Sequence, residues 1–141
     1  MKNELSIEDK LLLIKDLSAR LPYAITVEHT SGFRGTLHDL TVHHMYDDND
    51  NVYDTICYTD FFGDNDDIYI EFFKPYLFPM SSMTEEQKEE FEAYFMCIFK
   101  GDANIFISQY IDWLNKNHFD YRGLIEKGLA IDATGLGIYI S

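Results

Sequence analysis

At 141 residues the chain fits one domain and leaves little room for a second core. A hydrophobic content of 46% excludes general disorder, and a net charge of −14 argues against direct nucleic-acid binding and against anionic membrane surfaces. The charge is uneven: residues 35–73 carry ten acids and no Lys or Arg, whereas residues 1–34 balance five acids with five bases.

The opening residues run into a charged amphipathic segment. The longest early apolar run, residues 11–14, is too short for a secretory signal or a membrane span. Cys57 and Cys97 form no CxxC pair and sit in apolar-aromatic surroundings, which reads as buried free thiols. The expected setting is therefore the cytoplasm.

Taken in chain order, the first predicted element is a helix over residues 6–21. Ser6 is its N-cap, and Ile7, Leu11, Leu13, Ile14, Leu17 and Leu21 form its buried stripe; Pro22 ends it. Residues 23–30 alternate as a strand, turn through residues 31–35, and return over residues 36–46 as the second arm of a hairpin. Residues 47–51 read as an acidic turn, 52–59 as a third strand, 61–67 as another acidic loop and 68–73 as a fourth strand. The spacing predicts an antiparallel meander.

Residues 74–80 hold two prolines and read as an extended linker. Thr84 and Gln87 form a capping box ahead of a helix whose apolar face is Phe91, Tyr94, Phe95 and Ile98. Asp102 caps a second helix with Phe106, Ile107, Tyr110, Ile111 and Leu114 inward. Asp120 caps a short third helix closed by Gly128, and residues 138–140 form a last edge strand.

The chemistry-bearing patterns fall on the β half. Asp47, Asp48, Asp50 and Asp54, with Asp60, Asp64, Asp66 and Asp67, offer oxygen ligands to Ca²⁺ or Mg²⁺. A calcium loop counted from Asp60, however, has Phe62 at its third position and Asn65 where the turn glycine belongs. Solvated turns rich in Asp and Asn explain the same residues. His29, His38, His43 and His44 crowd the predicted hairpin. In a continuous strand His38 and His44 share a face, so His38, His44, Asp39 and Asp54 are the candidate metal ligands. Cys57 lacks a basic neighbour to activate it, although the second strand would bring a hairpin histidine beside it. No Walker A loop is present, and Gly135 and Gly137 form only a fragment of a phosphate-binding pattern.

Residues 46–73 also hold eight aromatics, half of which alternation leaves outside a core. Tyr is favoured at interface hot spots, and carboxylates steer basic partners. The interaction candidates are therefore Asp47, Asp48, Asp50, Tyr53, Asp64, Asp66 and Asp67, with Tyr121 and Arg122 as a second segment.

Two stretches, KPYLFPMSSMTEEQKEE over residues 74–90 and IDWLNKNHFDYRGLIEKGLA over residues 111–130, resemble an uncharacterised family carried by Bacteroidales genomes and by gut phages or prophages. The resemblance implies a bacterial or phage origin and a cytoplasmic setting, and it brings no activity or catalytic residue.

Together these readings predict a single α+β domain: an N-terminal helix, an antiparallel meander of about four strands, then two to three C-terminal helices packed on one sheet face. Residues 1–73 make the helix and acidic sheet, and residues 74–141 are mainly helical. The expected role is a non-enzymatic accessory domain, without cofactor, that binds protein through its acidic aromatic sheet and binds neither nucleic acid nor membrane. The competing readings are a small metal-dependent hydrolase built on the hairpin histidines and carboxylates, and a nucleic-acid mimic.

Overall fold

The computed structural model describes residues 5–59, 68–100 and 103–139, with the backbone alone over 95–100 and 103–106. It is a mixed α and β fold with an N-terminal helix, two sheets and two later helices.

Helix α1 spans Ile7–Arg20, and the Ser6 hydroxyl accepts the Asp9 amide as its N-cap. Its buried face differs from the predicted stripe. Leu13, Ile14 and Leu17 are inside, but so are Asp16 and Arg20, while Leu11 is exposed. Positions 13, 16, 17 and 20 form one helical face, so two charges sit where a purely apolar stripe was expected.

Strands β1 (Thr26–His29) and β2 (Arg34–Thr36) form a hairpin where one was predicted, but β2 begins inside the predicted turn of residues 31–35. The second arm does not continue to residue 46. The chain leaves the sheet at Leu37, which is buried, and resumes as β3 (Thr41–Tyr46) in a separate sheet with β4 (Val52–Thr59) and β5 (Ile68–Tyr69). The single meander is thus two sheets. The fourth predicted strand also divides: β5 is followed by a tight turn over Ile70–Phe72.

The predicted linker becomes β6 (Phe73–Pro79), the strand that joins the first sheet together. It pairs antiparallel with β1 and parallel with β7 (Phe119–Asp120) and β8 (Ile131–Asp132). Its prolines cost no ladder bond, for a geometric reason. The Phe72 carbonyl accepts from the Thr30 amide, so Lys74, two residues on, presents its peptide groups to β1. The nitrogen of Pro75 therefore points to the opposite edge, where β8 pairs only from Tyr76 onward.

Helices α2 (Glu85–Lys100) and α3 (Ala103–Lys116) follow. The capping box is present in both directions: the Thr84 amide donates to Gln87, and the Gln87 amide donates to the Thr84 hydroxyl. Asp102 lies outside the described residues. Trp113, Leu114 and Phe119 form an apolar cluster with Met83, into which Phe91 and Tyr94 pack. Ile107, assigned inward from its spacing, is exposed.

The third predicted helix is absent. The Asp120 carboxylate accepts from the amides of Leu124 and Ile125, four and five residues on, and so folds a turn. Gly123 and Gly128 both take positive φ, which breaks the chain out of helix at each end of that turn. Ile138 and Tyr139 form no edge strand. Instead the Tyr139 hydroxyl accepts from the Thr26 amide and donates to the Tyr76 carbonyl, joining β1 to β6 through a side chain.

A buried polar knot ties these parts together. Asp16 accepts from Arg20 Nε at 2.9 Å and from Arg122 at 2.8 Å, and Arg20 also donates to the Phe119 carbonyl. Both guanidinium groups lie against the ring of Tyr121, whose hydroxyl donates to Asn115. His118 stacks on Tyr139 with ring centroids 3.7 Å apart. Its burial, with Arg20 nearby, pushes the imidazole down to about 4.

Removing one partner of a buried ion pair leaves the others desolvated and uncompensated. Asp16→Ala should therefore lower the unfolding free energy by about 3–5 kcal/mol in urea denaturation, well beyond the cost of an exposed carboxylate. His118 gives a second expectation. The unfolded chain takes up a proton near pH 6.5 and the folded chain only near 4, so between those values the unfolded state binds more protons. This contribution to stability is complete above about 6.5 and falls as the pH drops towards about 4. His118→Asn, which tolerates the positive φ at this position, should flatten that part of the stability curve. Equal slopes in the two proteins would refute the assignment.

Candidate protein-docking site

The β3–β4 ribbon is where the exposed aromatics and acids meet. All six residues of β3 are exposed, as are Val52 and Tyr53 at the start of β4, while Thr55, Cys57 and Thr59 further along are buried. The ribbon is therefore anchored at its β4 end and open to solvent along β3. Its anchor includes an ion pair from Lys10 of α1 to Asp54 at 3.1 Å. The Thr55 amide, then Lys10, hold the Asp54 carboxyl below its ordinary range.

The register puts Thr41, His43 and Met45 on one face opposite Tyr58, Ile56 and Asp54, and Val42 and His44 on the other opposite Cys57 and Thr55. His43 stacks on Tyr58, and Tyr58 meets Tyr69 edge-on, so an aromatic row crosses the first face. Near the tip the register moves from Met45 against Asp54 to Tyr46 against Val52, which leaves Tyr53 unopposed as a bulge. Tyr46 and Tyr53 are 57% and 58% exposed, the two most open large hydrophobic side chains among the described residues.

Asp47 organises the tip. One carboxylate oxygen accepts from the amides of Asn49 and Asn51, and Asp50 sits in the left-handed region at φ 62°. Asp48 and Asp50 remain exposed beside the two tyrosines. Asp64, Asp66 and Asp67 lie outside the described residues. Tyr121 and Arg122, expected at an interaction surface, are half-buried parts of the polar knot.

The structure does not assemble the proposed metal ligands. His38 lies in the break between β2 and β3, so it shares no strand face with His44. His44 bonds to the Thr55 hydroxyl, Asp39 accepts from the Thr59 hydroxyl and Asp54 is engaged by Lys10. Among the described residues no group of three His, Cys, Asp or Glu side chains converges as a metal site would require. Among the same residues no helix is long and apolar enough to cross a membrane. Cys57 faces Val42 across the ladder, not a histidine. No family model, curated protein or solved structure matches the chain.

Missed by the sequence reading were the polar knot and a pocket beside β1 and β6. Both depend on residues far apart in the chain, and neither contains a recognisable motif.

Burial, and secondarily the charge of Glu71, push the Cys57 thiol up to about 11, so almost none of it is thiolate at neutral pH. In the native protein Cys57 should resist alkylation by iodoacetamide at pH 8 and react fully once urea unfolds the chain. Peptide mass spectrometry reads both states, and fast native labelling would show that the thiol is open and activated.

Proposed function

We propose that this chain is a protein-docking domain that presents the β3–β4 ribbon to a basic, extended segment of a partner, which adds as a strand along β3. The observation that carries the reading is the exposed edge of β3, which bonds to no other strand among the described residues.

Such an edge invites further strand pairing, and proteins usually protect it with Lys or Pro. Residues 35–73 contain neither Lys, Arg nor Pro, and the ribbon exposes Val42, Met45, Tyr46, Val52 and Tyr53. Strand addition gains affinity from main-chain bonds and specificity from side chains on alternate positions. The charge identifies the partner. Two copies of this ribbon would bring Asp48 and Asp50 against like charges, whereas Lys or Arg on an incoming strand would meet them favourably. The resemblance of residues 74–130 to a Bacteroidales and phage family makes a bacterial cytoplasm the expected setting for that partner. A catalytic role has no comparable support, because His44, Asp39 and Asp54 are engaged separately and His38 shares no strand face with His44.

A fluorescent peptide alternating Lys with Val should bind, and the same peptide with Glu in place of Lys should not. Added salt should weaken the complex. Combining Tyr46→Ala with Tyr53→Ala should weaken binding roughly tenfold or more, as expected for interface tyrosines, with the unfolding midpoint unchanged. Asp48→Asn with Asp50→Asn should slow association and reduce the salt dependence. Equal binding of both peptides, or affinity indifferent to the tyrosine changes, would overturn the proposal.

A further inference from the structure

A pocket of about 540 Å³ opens beside β1 and β6, on a part of the molecule separate from the ribbon tip. That volume falls in the range of small-molecule sites. Its floor is apolar: Leu13, Phe73 and Leu129 belong to the main core, and Ile131 adjoins them. Its rim carries the exposed ring of Phe72 and the imidazole of His29, whose ring centroids are 6.2 Å apart.

The polar wall sets two acids against one base, Lys74. Glu28 and Glu71 both line the pocket, and they are not equivalent. Glu28 already accepts a hydrogen bond from the Tyr76 hydroxyl at 2.6 Å. Glu71 Oε1 is shut off from solvent and accepts no hydrogen bond, although Lys74 lines the same pocket. A buried carboxylate oxygen without a donor is a costly arrangement, and a native protein seldom keeps one without use. Oε1 itself is closed to the pocket, but Glu71 lines it, so a ligand there can donate to the part of the carboxylate that faces it, and the aromatic rim favours a donor that is cationic.

We propose that this pocket binds a small organic cation, an apolar body carrying a protonated amine. The apolar body lies on Leu13, Phe73 and Leu129. The ammonium group hydrogen-bonds to Glu71 near the faces of Phe72 and His29. A carboxylate ligand of the same shape would meet two like charges, Glu28 and Glu71, against the single opposite charge of Lys74. A neutral alcohol would fill the floor without supplying a charge. The ranking of amine above alcohol above acid therefore belongs to this site and not to any apolar hollow.

Titration of the ¹⁵N-labelled full chain with phenethylamine tests it, with phenethyl alcohol and phenylacetate as matched probes. The amine should shift the amides of Gly32, Phe73 and Leu129 saturably, more tightly than the alcohol, and phenylacetate least of all. Glu71→Gln should weaken the amine roughly tenfold or more and leave the alcohol unchanged. Thr30→Trp, a change at an exposed rim position, should block both. Absence of amide shifts with the amine, or alcohol or acid binding as tightly as the amine, would overturn the proposal. So would a folded Glu71→Gln protein with unaltered amine affinity. If that variant does not fold, the ranking of the three probes on the parent chain decides.

Discussion

One buried carboxylate holds the fold in its arrangement. Asp16, fully out of solvent, receives Arg20 from its own helix and Arg122 from a segment more than a hundred residues later. Arg20 in turn reaches the Phe119 carbonyl, so α1 is bonded to the residues that form β7. Hydrophobic contact alone is not directional. The ion pairs are directional, and they set where the chain returns after α3. Their net stabilisation is small beside the desolvation they require, so the physical role we assign them is to select one docking of α1 against the C-terminal turns.

That docking explains why β6 can be central despite its prolines. With β7 and β8 held by the knot and the Asp120 turn, β6 pairs on both edges, and Pro75 occupies the position whose missing amide had no partner to lose. Tyr139 then joins β1 to β6 by hydroxyl bonds where the strand ladder stops. The first sheet is thereby assembled from both ends of the chain. The three-stranded sheet receives no such closure. Its inner half rests on the core through Cys57, and its outer half projects with β3 uncovered.

Local signals were legible in the sequence and long-range ones were not. The Ser6 cap, the Thr84–Gln87 box, the first hairpin and the strand of residues 52–59 each depend on neighbours within a few positions. The break at residues 37–40 was hidden because no Gly or Pro marks it between residues 36 and 46, and Leu40 and Val42 fall on one face as they would in a strand. Only burial of Leu37 in the core shows that the chain turns there. Asp16 and Arg20 did leave a trace: they stand four apart on the helical face shared with Leu13 and Leu17. A charged i, i+4 pair inside an apolar stripe points to a buried network. Asp120 was expected to cap a helix and instead folds a turn, because the glycines at 123 and 128 decide between the two. At the ribbon tip, the turn over residues 47–51 was readable from its Asp and Asn content. Tyr121 and Arg122 were misassigned because a distant acid draws them inward.

The ribbon and the pocket share one origin in the distribution of charge. No Lys or Arg occurs between residues 35 and 73, so carboxylates there can be neutralised only from elsewhere. Asp54 obtains Lys10 from α1. Glu71 Oε1 obtains no hydrogen bond, and the tip of the ribbon stands with Asp48 and Asp50 exposed. Acids kept for solubility alone can be fully hydrated and have no need of a buried position or of neighbouring aromatic rings. Here one carboxylate is partly withdrawn from water beside an apolar pocket, and two others flank the most exposed tyrosines of the described fold. Under both proposals each arrangement offers a positive charge a place to sit, and the apolar surface next to it sets how large a ligand that charge must carry.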